Sequence, residues 1–314
     1  MEELRINHDA HSSETTNRFR GCLVGLAVGD AVGTTLEFRA RGTFEDITDM
    51  EGGGPFELTA GEWTDDTSMA LCLGASLLHC GGFDARDQMN RYCNWRNLGY
   101  MSSTGECFDI GMTVSEALDR YLSSGEPIAG SKDPNTAGNG CIMRLAPIPM
   151  FFFPDADDIA QHARLSSMTT HGAAECLDAS TLLAEVLRRA LAGYEKSALL
   201  TDLPNLNGSE KLAAVAAGGW LGKSRDDIRG SGYVVDALEA AFWCFESSDN
   251  YKDCILLSAN LGDDADTTAA IAGQIAGAHY GFDAIPPSWR TKLVMRDEIV
   301  DMADRLRSHS KKPN

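Results

Sequence analysis

The 314-residue chain has 46 acidic and 27 basic side chains, which give it a formal net charge of −19, and 43% of its residues are hydrophobic. This length and hydrophobic content allow one large folded domain or two small ones. The negative charge argues against proteins that bind nucleic acid or anionic membranes, because both classes need basic surfaces.

The cysteine pattern indicates a reducing compartment. The nine cysteines are scattered along the chain and form no C-x-x-C pair, so a disulfide framework is not expected. The first residues, MEELRINHDAHSSETT, are polar and unlike a signal peptide, and no uninterrupted apolar run approaches transmembrane length. We therefore expect a cytoplasmic protein that partners neither membranes nor nucleic acid.

Helical periodicity dominates the chain, whereas alternating β-branched runs are almost absent. Residues 1–16 and 308–314 are predicted to be disordered tails around a single domain, residues 17–307. The predicted helices, in chain order, are 17–33, 65–80, 86–97, 111–123, 138–150, 155–167, 172–193, 208–218, 231–247, 250–261, 265–280 and 288–307. The fold class is therefore predicted to be all-α, as a compact multi-helix domain.

Two of the predicted helices are unusually rich in small residues. Glycines recur every fourth residue from Gly21 to Gly33, and the 265–280 segment contains Ala269, Gly273 and Gly277. Glycine inside a helix costs roughly 1 kcal/mol relative to alanine. Close approach of two helices offsets such a cost, so we predict that these two helices are central and tightly packed.

Two acidic clusters, far apart in the sequence, resemble each other. Thr64-Asp65-Asp66-Thr67 precedes one apolar run, and Gly262-Asp263-Asp264-Ala265-Asp266-Thr267-Thr268 precedes another. Acidic residues are favoured in the first turn of any helix, so one cluster could be a helix cap. Two clusters of carboxylates and hydroxyls within apolar sequence favour a site for hard divalent cations. The histidines have no ligand spacing that would indicate zinc.

Three further acidic residues are ambiguous from their local sequence. Asp30, in an apolar run, could be a buried structural residue or one that orients a metal ligand. Glu37 lies at a helix exit, where a single glutamate is usually a surface residue. Asp109 lies just before a predicted helix, where an N-cap is the stronger local interpretation.

Two other groups could bind an anion. Gly138-Asn139-Gly140-Cys141-Ile142-Met143-Arg144 combines turn residues, an amide and an arginine at a predicted helix start. Such a start can hold an anion on its backbone N–H groups, with Arg144 adding charge, or it can be an ordinary turn. His171, in Thr169-Thr170-His171-Gly172, is by itself more typical of a structural histidine.

Taken in order, these groups resemble the ADP-ribosylglycohydrolase family, which includes dinitrogenase reductase-activating glycohydrolase and hydrolases of ADP-ribosylarginine and ADP-ribosylserine. The resemblance runs from about Arg18 to Gly281. Its markers are RFRGCLVGLAVGDAVGTTLEF at 18–38, WTDDT at 63–67, FDIG at 108–111, NGCIMRLAP at 139–147, TH at 170–171 and GDDADTTAAIAG at 262–273.

The resemblance implies an all-α domain with a central binuclear site for two Mg²⁺ or Mn²⁺ ions. It assigns the metal ligands to Thr64, Asp65, Asp66, Asp264, Asp266 and Thr267. In many members a glycine occupies the position of Asp263, which leaves that carboxylate as an extra charge beside the metals or as a side chain that points outward.

The resemblance also implies roles around the metals. Glu37 matches a glutamate that lies on a mobile segment near the metals in some members, and Asp109 matches an aspartate near the ribose. Asn139, Gly140 and His171 match positions near the phosphates and the distal ribose of ADP-ribose. Asp109, Asn139, Gly140 and His171 are therefore expected to bind substrate.

The expected reaction is metal-dependent hydrolysis of the N-glycosidic bond between ADP-ribose and a modified protein side chain, with arginine as the expected acceptor. Its leaving group must gain a proton, which Glu37, Asp65 or Asp66 could supply. The alternatives are hydrolysis of ADP-ribosylserine or of free ADP-ribose derivatives, and a non-catalytic protein that binds ADP-ribose. The expected partners are ADP-ribose and an ADP-ribosylated protein; a monomer is the working expectation, although the sequence leaves the oligomeric state open.

Overall fold

The computed structural model of the protein describes residues 2–204, 206 and 209–310, with side chains from residue 12 onward. Within these ranges the chain contains isolated β-bridges but no β-strand. The fourteen α-helices there are α1 (Glu2–Gly33), α2 (Asp65–Cys80), α3 (Ala85–Leu98), α4 (Met112–Ser124), α5 (Pro147–Phe152), α6 (Ala156–Met168), α7 (Ala174–Leu191), α8 (Lys196–Leu199), α9 (Glu210–Ala216), α10 (Val234–Glu246), α11 (Tyr251–Ala259), α12 (Ala265–Tyr280), α13 (Pro287–Lys292) and α14 (Arg296–His309). The all-α prediction is confirmed.

Helices α1 and α12 pack against each other along their length at the centre of the fold. A Cβ atom added to Gly25 would lie 2.4 Å from the carbonyl oxygen of Gly273, and one added to Gly29 would lie 2.1 Å from that of Ala269. These separations are too short for any side chain, so only glycine permits the observed approach of the two backbones. The prediction of two central, tightly packed helices is confirmed.

The other helices surround this pair. Helices α7, α10 and α11 pack on α12, while α2, α11 and α14 pack on α1. The Tyr251 hydroxyl of α11 donates to the carbonyl oxygen of Gly25 at 2.8 Å, in the middle of α1. Both acidic clusters therefore begin helices that are anchored in one core.

Several predicted boundaries are wrong. Helix α1 begins at Glu2 rather than at residue 17, and the Arg307 side chain donates a hydrogen bond to the Ser12 hydroxyl in this helix. The 138–150 segment is helical only from Pro147, because proline lacks the N–H that a continuing helix needs, and a short 3-10 turn covers Asn139–Cys141. The domain limits 17–307 stay a prediction, and residues 311–314 of the expected tail lie outside the described residues.

The predicted helix 288–307 is divided into α13 and α14. Met295 adopts a left-handed backbone conformation with φ of 54° between them, which ends regular helical hydrogen bonding. The short helix α8 was not predicted, because four residues are too few to show a helical period.

One segment, Ser12–Leu36, is long and apolar enough to span a membrane by length and composition. Of its most apolar window, 89% is buried inside the fold. Its apolar surface is therefore covered by neighbouring helices, as expected for the central helix of a folded domain.

Candidate metal centre and adjoining cleft

Asp30 holds the beginning of helix α2 in place. Its Oδ1 accepts hydrogen bonds from the backbone N–H and the hydroxyl of Thr64, both at 2.9 Å. Its Oδ2 accepts from the backbone N–H of Thr67 at 3.0 Å and from the hydroxyl at 2.6 Å. Asp30 thus satisfies N–H groups that an α-helix leaves without internal partners. Because four donors occupy its two oxygens, the structure favours an orienting role for Asp30.

The tight packing of α1 against α12 brings the second cluster to the same place. Asp66 and Asp266 are 0% and 1% exposed, and with Asp30 they offer carboxylate oxygens that all lie within 4.8 Å of one another. The Thr64 hydroxyl lies 3.2 Å from Oδ2 of Asp66 and 3.2 Å from Oδ2 of Asp266. The Thr267 hydroxyl lies 3.4 Å from Oδ2 of Asp66. The two clusters form one group of oxygens.

This group lacks the positive charge that its burial requires. Oδ1 of Asp66, Oδ1 of Asp266 and Oε2 of Glu37 are buried and have no hydrogen-bond partner among the described residues. Burial of an unpaired carboxylate is costly unless it is protonated, paired or coordinated to a metal. Carboxylate and hydroxyl oxygens without a nitrogen or sulfur donor are the ligand set of hard divalent cations. The residues present therefore fit such cations.

The same crowding raises the pKa of five of these acids. Burial, followed by the charges of Asp109 and Asp264, raises the pKa of Glu37 to about 10. Burial raises the pKa of Asp109 to about 7, although a hydrogen bond with Glu37 opposes the shift. Burial and neighbouring carboxylates hold the pKa values of Asp65, Asp66 and Asp266 well above the ordinary range. The cluster needs protons or cations to be stable.

Glu37 lies inside the protein, although its local sequence suggested a surface residue. Only 3% of the residue is exposed, and its carboxylate lies within 4.8 Å of those of Asp109 and Asp266. The backbone N–H of Phe38 donates to the Asp263 carbonyl oxygen at 2.7 Å, and the N–H of Asp263 donates to that of Arg39 at 2.8 Å. These two bonds tie the segment after Glu37 to the loop that leads into α12.

Asp109 is not an N-cap. Helix α4 begins at Met112 with Gly111 as its N-cap, and Asp109 precedes it with a positive φ of 58°. Phe38 and Asp263 also have positive φ values, of 60° and 55°. Such conformations are uncommon for residues other than glycine and concentrate at functional sites. The backbone around the acidic cluster is thus held in shape by the tertiary structure.

A cleft of about 330 Å³ lies above the acidic cluster. The expected site residues that line it are Glu37, Asp65, Asp109, Asn139, Gly140, His171, Asp264, Asp266 and Thr267. The other two, Thr64 and Asp66, lie beneath this lining, in contact with Asp266 and Thr267. The structure therefore brings together all eleven expected site residues, and the metal-binding and substrate-binding roles stay predictions.

Asn139 is fixed from two sides. Its side-chain amide donates to Oδ2 of Asp264 at 2.8 Å, and its backbone N–H donates to the carbonyl oxygen of Gly232 at 3.1 Å. Below it, the side-chain amide of Gln274 in α12 donates to the carbonyl oxygens of Ile142 and Met143. Helix α12 thus positions both the acidic residues of the cleft and the segment that contains Asn139.

Asp263 is exposed and does not line the cleft, in contrast to Asp264 and Asp266. Of the two interpretations left open for this extra carboxylate, the structure supports the one in which its side chain points outward. Asp263 contributes its backbone to the site and provides a natural control for substitutions of the neighbouring acids.

Sequence reasoning missed part of the cleft. Its lining also includes Phe38, Ile110, Met112, Thr113, Val114, Gly138, Met143 and Gly232. Phe38 and Met112 are 69% and 77% exposed, which is unusual for large apolar side chains. Their position beside Glu37 and Asp109 could have been a signal, whereas nothing in the local sequence marks Gly232. Arg144 does not line the cleft but is buried below it.

The sequence profile of the ADP-ribosylglycohydrolase family matches residues 11–314. The chain belongs to the ADP-ribosylglycohydrolase family. Family members of known name match nearly the whole chain. This chain is 44% identical, over 94% of its own length and 80% of the relative's, to a Serratia proteamaculans (strain 568) protein named ADP-ribosylarginine hydrolase Tri1. It is 31% identical, over 90% and 92% of the two lengths, to the ADP-ribosyl-[dinitrogen reductase] glycohydrolase of Rhodospirillum rubrum.

A solved structure of an ADP-ribosylglycohydrolase-related protein complex has the same fold. The two structures align with a TM-score of 0.84 and 40% sequence identity. The alignment covers 95% of this chain and 100% of the solved one. The resemblance to the ADP-ribosylglycohydrolase family that the motifs indicated is therefore confirmed, with an acidic cluster at the centre of the fold that could bind a metal.

Proposed function

We propose that this ADP-ribosylglycohydrolase cleaves the N-glycosidic bond of ADP-ribosylarginine in modified proteins and uses two Mg²⁺ or Mn²⁺ ions. The observation that carries the proposal is a cluster of buried carboxylates, three of whose oxygens have no partner, at the floor of a cleft. Arginine as the acceptor is supported by relatives at 44% and 46% identity that are named ADP-ribosylarginine hydrolases.

Six residues would hold the cations: Thr64, Asp65, Asp66, Asp264, Asp266 and Thr267. When bound, such cations supply positive charge to the ribose hydroxyls and lower the pKa of a coordinated water. Asp30 orients this set, because its hydrogen bonds to Thr64 and Thr67 fix the first turn of α2. The cations would also offset the field of a protein with a net charge of −19, so that a diphosphate ligand can bind.

The chain's own groups then serve the leaving group and the ribose. A departing guanidine must gain a proton, and the donor must reach it in the cleft. Glu37 and Asp65 line the cleft, whereas Asp66 lies below its surface. The geometry therefore favours Glu37 or Asp65 as the acid and Asp66 as a cation ligand. Asp109, adjacent to Glu37, would contact a ribose hydroxyl.

Asn139, Gly140 and His171 also line the cleft and would contact the diphosphate part of the ligand. The exposed side chains of Phe38 and Met112 at the cleft would contact the aliphatic part of the modified side chain or its protein.

The direct test measures ADP-ribose released from an arginine-modified protein and, in parallel, from a serine-modified one, with Mg²⁺ or Mn²⁺ and with EDTA. We expect release from arginine only, which EDTA abolishes and added cation restores. Asp266→Asn should be inactive, while Asp263→Asn, which changes the adjacent exposed carboxylate, should retain activity. Release from serine alone would assign the other acceptor. Binding of ADP-ribose without release from either substrate would show a non-catalytic member, and undiminished turnover in metal-depleted protein would exclude the cation-dependent reaction.

A further inference from the structure

Arg144 is a buried cation without an anionic partner. It is 1% exposed, and no carboxylate of the described residues forms an ion pair with it. Its guanidinium lies over the ring of Tyr92, 4.7 Å from the centroid, and Nη1 lies 3.5 Å from Sδ of Met69. Nη2 donates to the Thr170 hydroxyl oxygen at 2.6 Å. A buried, uncompensated charge is costly, so its retention calls for a function.

The hydrogens of this contact can be assigned from the rule that a buried polar hydrogen finds an acceptor. A guanidinium can only donate, so Thr170 Oγ1 must accept from Arg144. The same hydroxyl lies 2.8 Å from Nδ1 of His171, and no other acceptor for its single hydrogen is found among the described residues. Thr170 therefore donates to His171, and Nδ1 of His171 is the acceptor. A neutral imidazole whose Nδ1 accepts carries its hydrogen on Nε2.

The opposite edge of the imidazole faces the cleft. His171 belongs to the cleft lining, and its ring lies against Gly138 and Gly140. A Cβ atom added to Gly140 would lie 3.1 Å from Nε2, and one added to Gly138 would lie 3.4 Å from it. Nε2 has no hydrogen-bond partner among the described residues. The two glycines thus leave room beside an unpartnered Nε2, on a residue that is only 2% exposed.

We propose that Arg144 and Thr170 are positioning residues that fix His171 as the Nε2–H tautomer, so that the cleft presents an uncharged hydrogen-bond donor to an anionic oxygen of the ligand. The proposal rests on the proposed function in one respect, namely that the ligand of this cleft carries a diphosphate.

The surroundings agree with a neutral donor. Burial, followed by the charge of Arg144, lowers the pKa of His171 to about 3. The ring is therefore neutral at physiological pH, in spite of the acidic cluster in the same cleft. A neutral imidazole has two tautomers. The tautomer with its hydrogen on Nδ1 would present an acceptor to the anion and repel it. The unchanging charge of Arg144 removes this choice, because a guanidinium does not deprotonate in proteins.

The tautomer can be read by ¹⁵N NMR of protein labelled at histidine, with the His171 signals assigned by their loss in His171→Gln. We expect a protonated Nε2 and an unprotonated Nδ1 in the wild type at neutral pH. Thr170→Val keeps the shape of the side chain but removes the hydroxyl, and it should produce a mixture of tautomers. Thr170→Ser restores the hydroxyl and should restore the wild-type signature. A wild-type His171 that is protonated on Nδ1 would overturn the proposal, even if Thr170→Val does not fold.

Calorimetry with ADP-ribose tests the consequence for binding. Thr170→Val should raise the Kd about 10-fold, which corresponds to about one hydrogen bond, while Thr170→Ser should stay near the wild type. Turnover at saturating substrate should change less than KM. Unchanged ADP-ribose binding in Thr170→Val, together with wild-type folding, would exclude the positioning role. The NMR result does not depend on the reaction, so a protein with the expected tautomer that releases no ADP-ribose from arginine would contradict only the proposed function.

Discussion

At the scale of single residues, the carboxyl group of Glu37 combines burial with access to the cleft. Glu37 is 3% exposed, and its Oε2 has no partner among the described residues. Its carboxylate lies within 4.8 Å of those of Asp109 and Asp266. The backbone bonds between Phe38 and Asp263 fix its position relative to the acidic residues of α12. These contacts suit a group that exchanges a proton with the substrate better than one that only stabilises the fold.

We expect Glu37→Gln to lower the turnover rate by about 10²-fold or more, because the amide keeps the size of the side chain but cannot transfer a proton. The affinity for ADP-ribose should be largely retained, since the proposed cation ligands and Asn139, Gly140 and His171 are unchanged. Kinetics with an ADP-ribosylarginine substrate and calorimetry with ADP-ribose measure the two quantities separately.

The matched control is Glu51→Gln, which makes the same chemical change at an exposed glutamate and should behave as the wild type. If ADP-ribose binding and turnover collapse together in Glu37→Gln, the side chain holds the site together and is not the acid. Wild-type rates would mean that Asp65 is the better candidate.

At the scale of elements, the first turns of α2 and α12 form one site although they are distant in sequence. The hydroxyls of Thr64 and Thr267 both lie against Oδ2 of Asp66, and Thr64 also contacts Asp266. The proposed cation site takes oxygens from both turns. The two helix starts should therefore fail together.

We expect Asp66→Asn and Asp266→Asn each to remove nearly all turnover, and the double variant to be scarcely worse than either. Residues that act as one unit have strongly non-additive effects, because the first loss already removes the function. Rate measurements on the two single variants and the double variant form the required cycle, with Asp263→Asn as the control. Losses that multiply in the double variant would mean that the two clusters act independently.

The packing of α1 on α12 is what holds these two turns together. We expect Gly25→Ala to destabilise the fold by about 3 kcal/mol, because the new Cβ would lie 2.4 Å from the backbone oxygen of Gly273 and the helices would have to separate. Urea unfolding at equilibrium measures the change in free energy.

Gly82→Ala is the control for this substitution, since a Cβ at Gly82 meets no atom within 4 Å and its φ is not positive. It should be neutral or slightly stabilising. Equal effects of Gly25→Ala and Gly82→Ala would show that the close helix contact does not limit stability. Activity in Gly25→Ala should fall along with folding, because Asp30 and Asp266 lie on the two separated helices.

At the scale of the whole molecule, the acidic cluster links stability to pH and to cations. The raised pKa values of Glu37, Asp65, Asp66 and Asp266 mean that the folded, ion-free protein holds protons that the unfolded chain has released. A raised pKa in the folded state contributes stability that is present below the ordinary pKa of an acid, about 4, and is lost as the pH rises through the folded value. The −19 net charge acts in the same direction, through general repulsion.

In EDTA, we therefore expect the melting temperature to rise when the pH is lowered from about 8 to about 5.5, within the window between ordinary and raised pKa values. Adding Mn²⁺ or Mg²⁺ at pH 8 should also raise it, since a ligand at about 100 times its Kd stabilises the folded state by about 2.7 kcal/mol. Thermal unfolding with and without cation at both pH values measures these effects.

Asp66→Asn separates the cluster from the general charge. It should reduce the pH dependence in EDTA and remove most of the gain from cation, whereas Asp263→Asn should preserve both. A wild-type melting temperature that does not respond to Mn²⁺ or Mg²⁺ at pH 8 would contradict cation binding at the cluster.

Much of this protein was determined locally by the sequence. Periodicity located α2 at 65–80 and α12 at 265–280, and the spacing of small residues identified the central helix pair, because these are properties of short stretches of chain. The acidic clusters could be recognised as a candidate metal site because carboxylates and hydroxyls are repeated at two helix starts. The order of the motifs along the chain identified the family.

The tertiary structure decided what local sequence left ambiguous. Glu37 and Asp109 have the local appearance of a surface residue and an N-cap, and only the tertiary structure brings them together at one cleft. Asp30 became an orienting residue once both of its oxygens were seen to bind the first turn of α2. The hydrogen bonds from Arg144 through Thr170 to His171 join residues on two segments. No sequence pattern predicts which atom of a side chain donates to which, because that depends on distances that only packing sets.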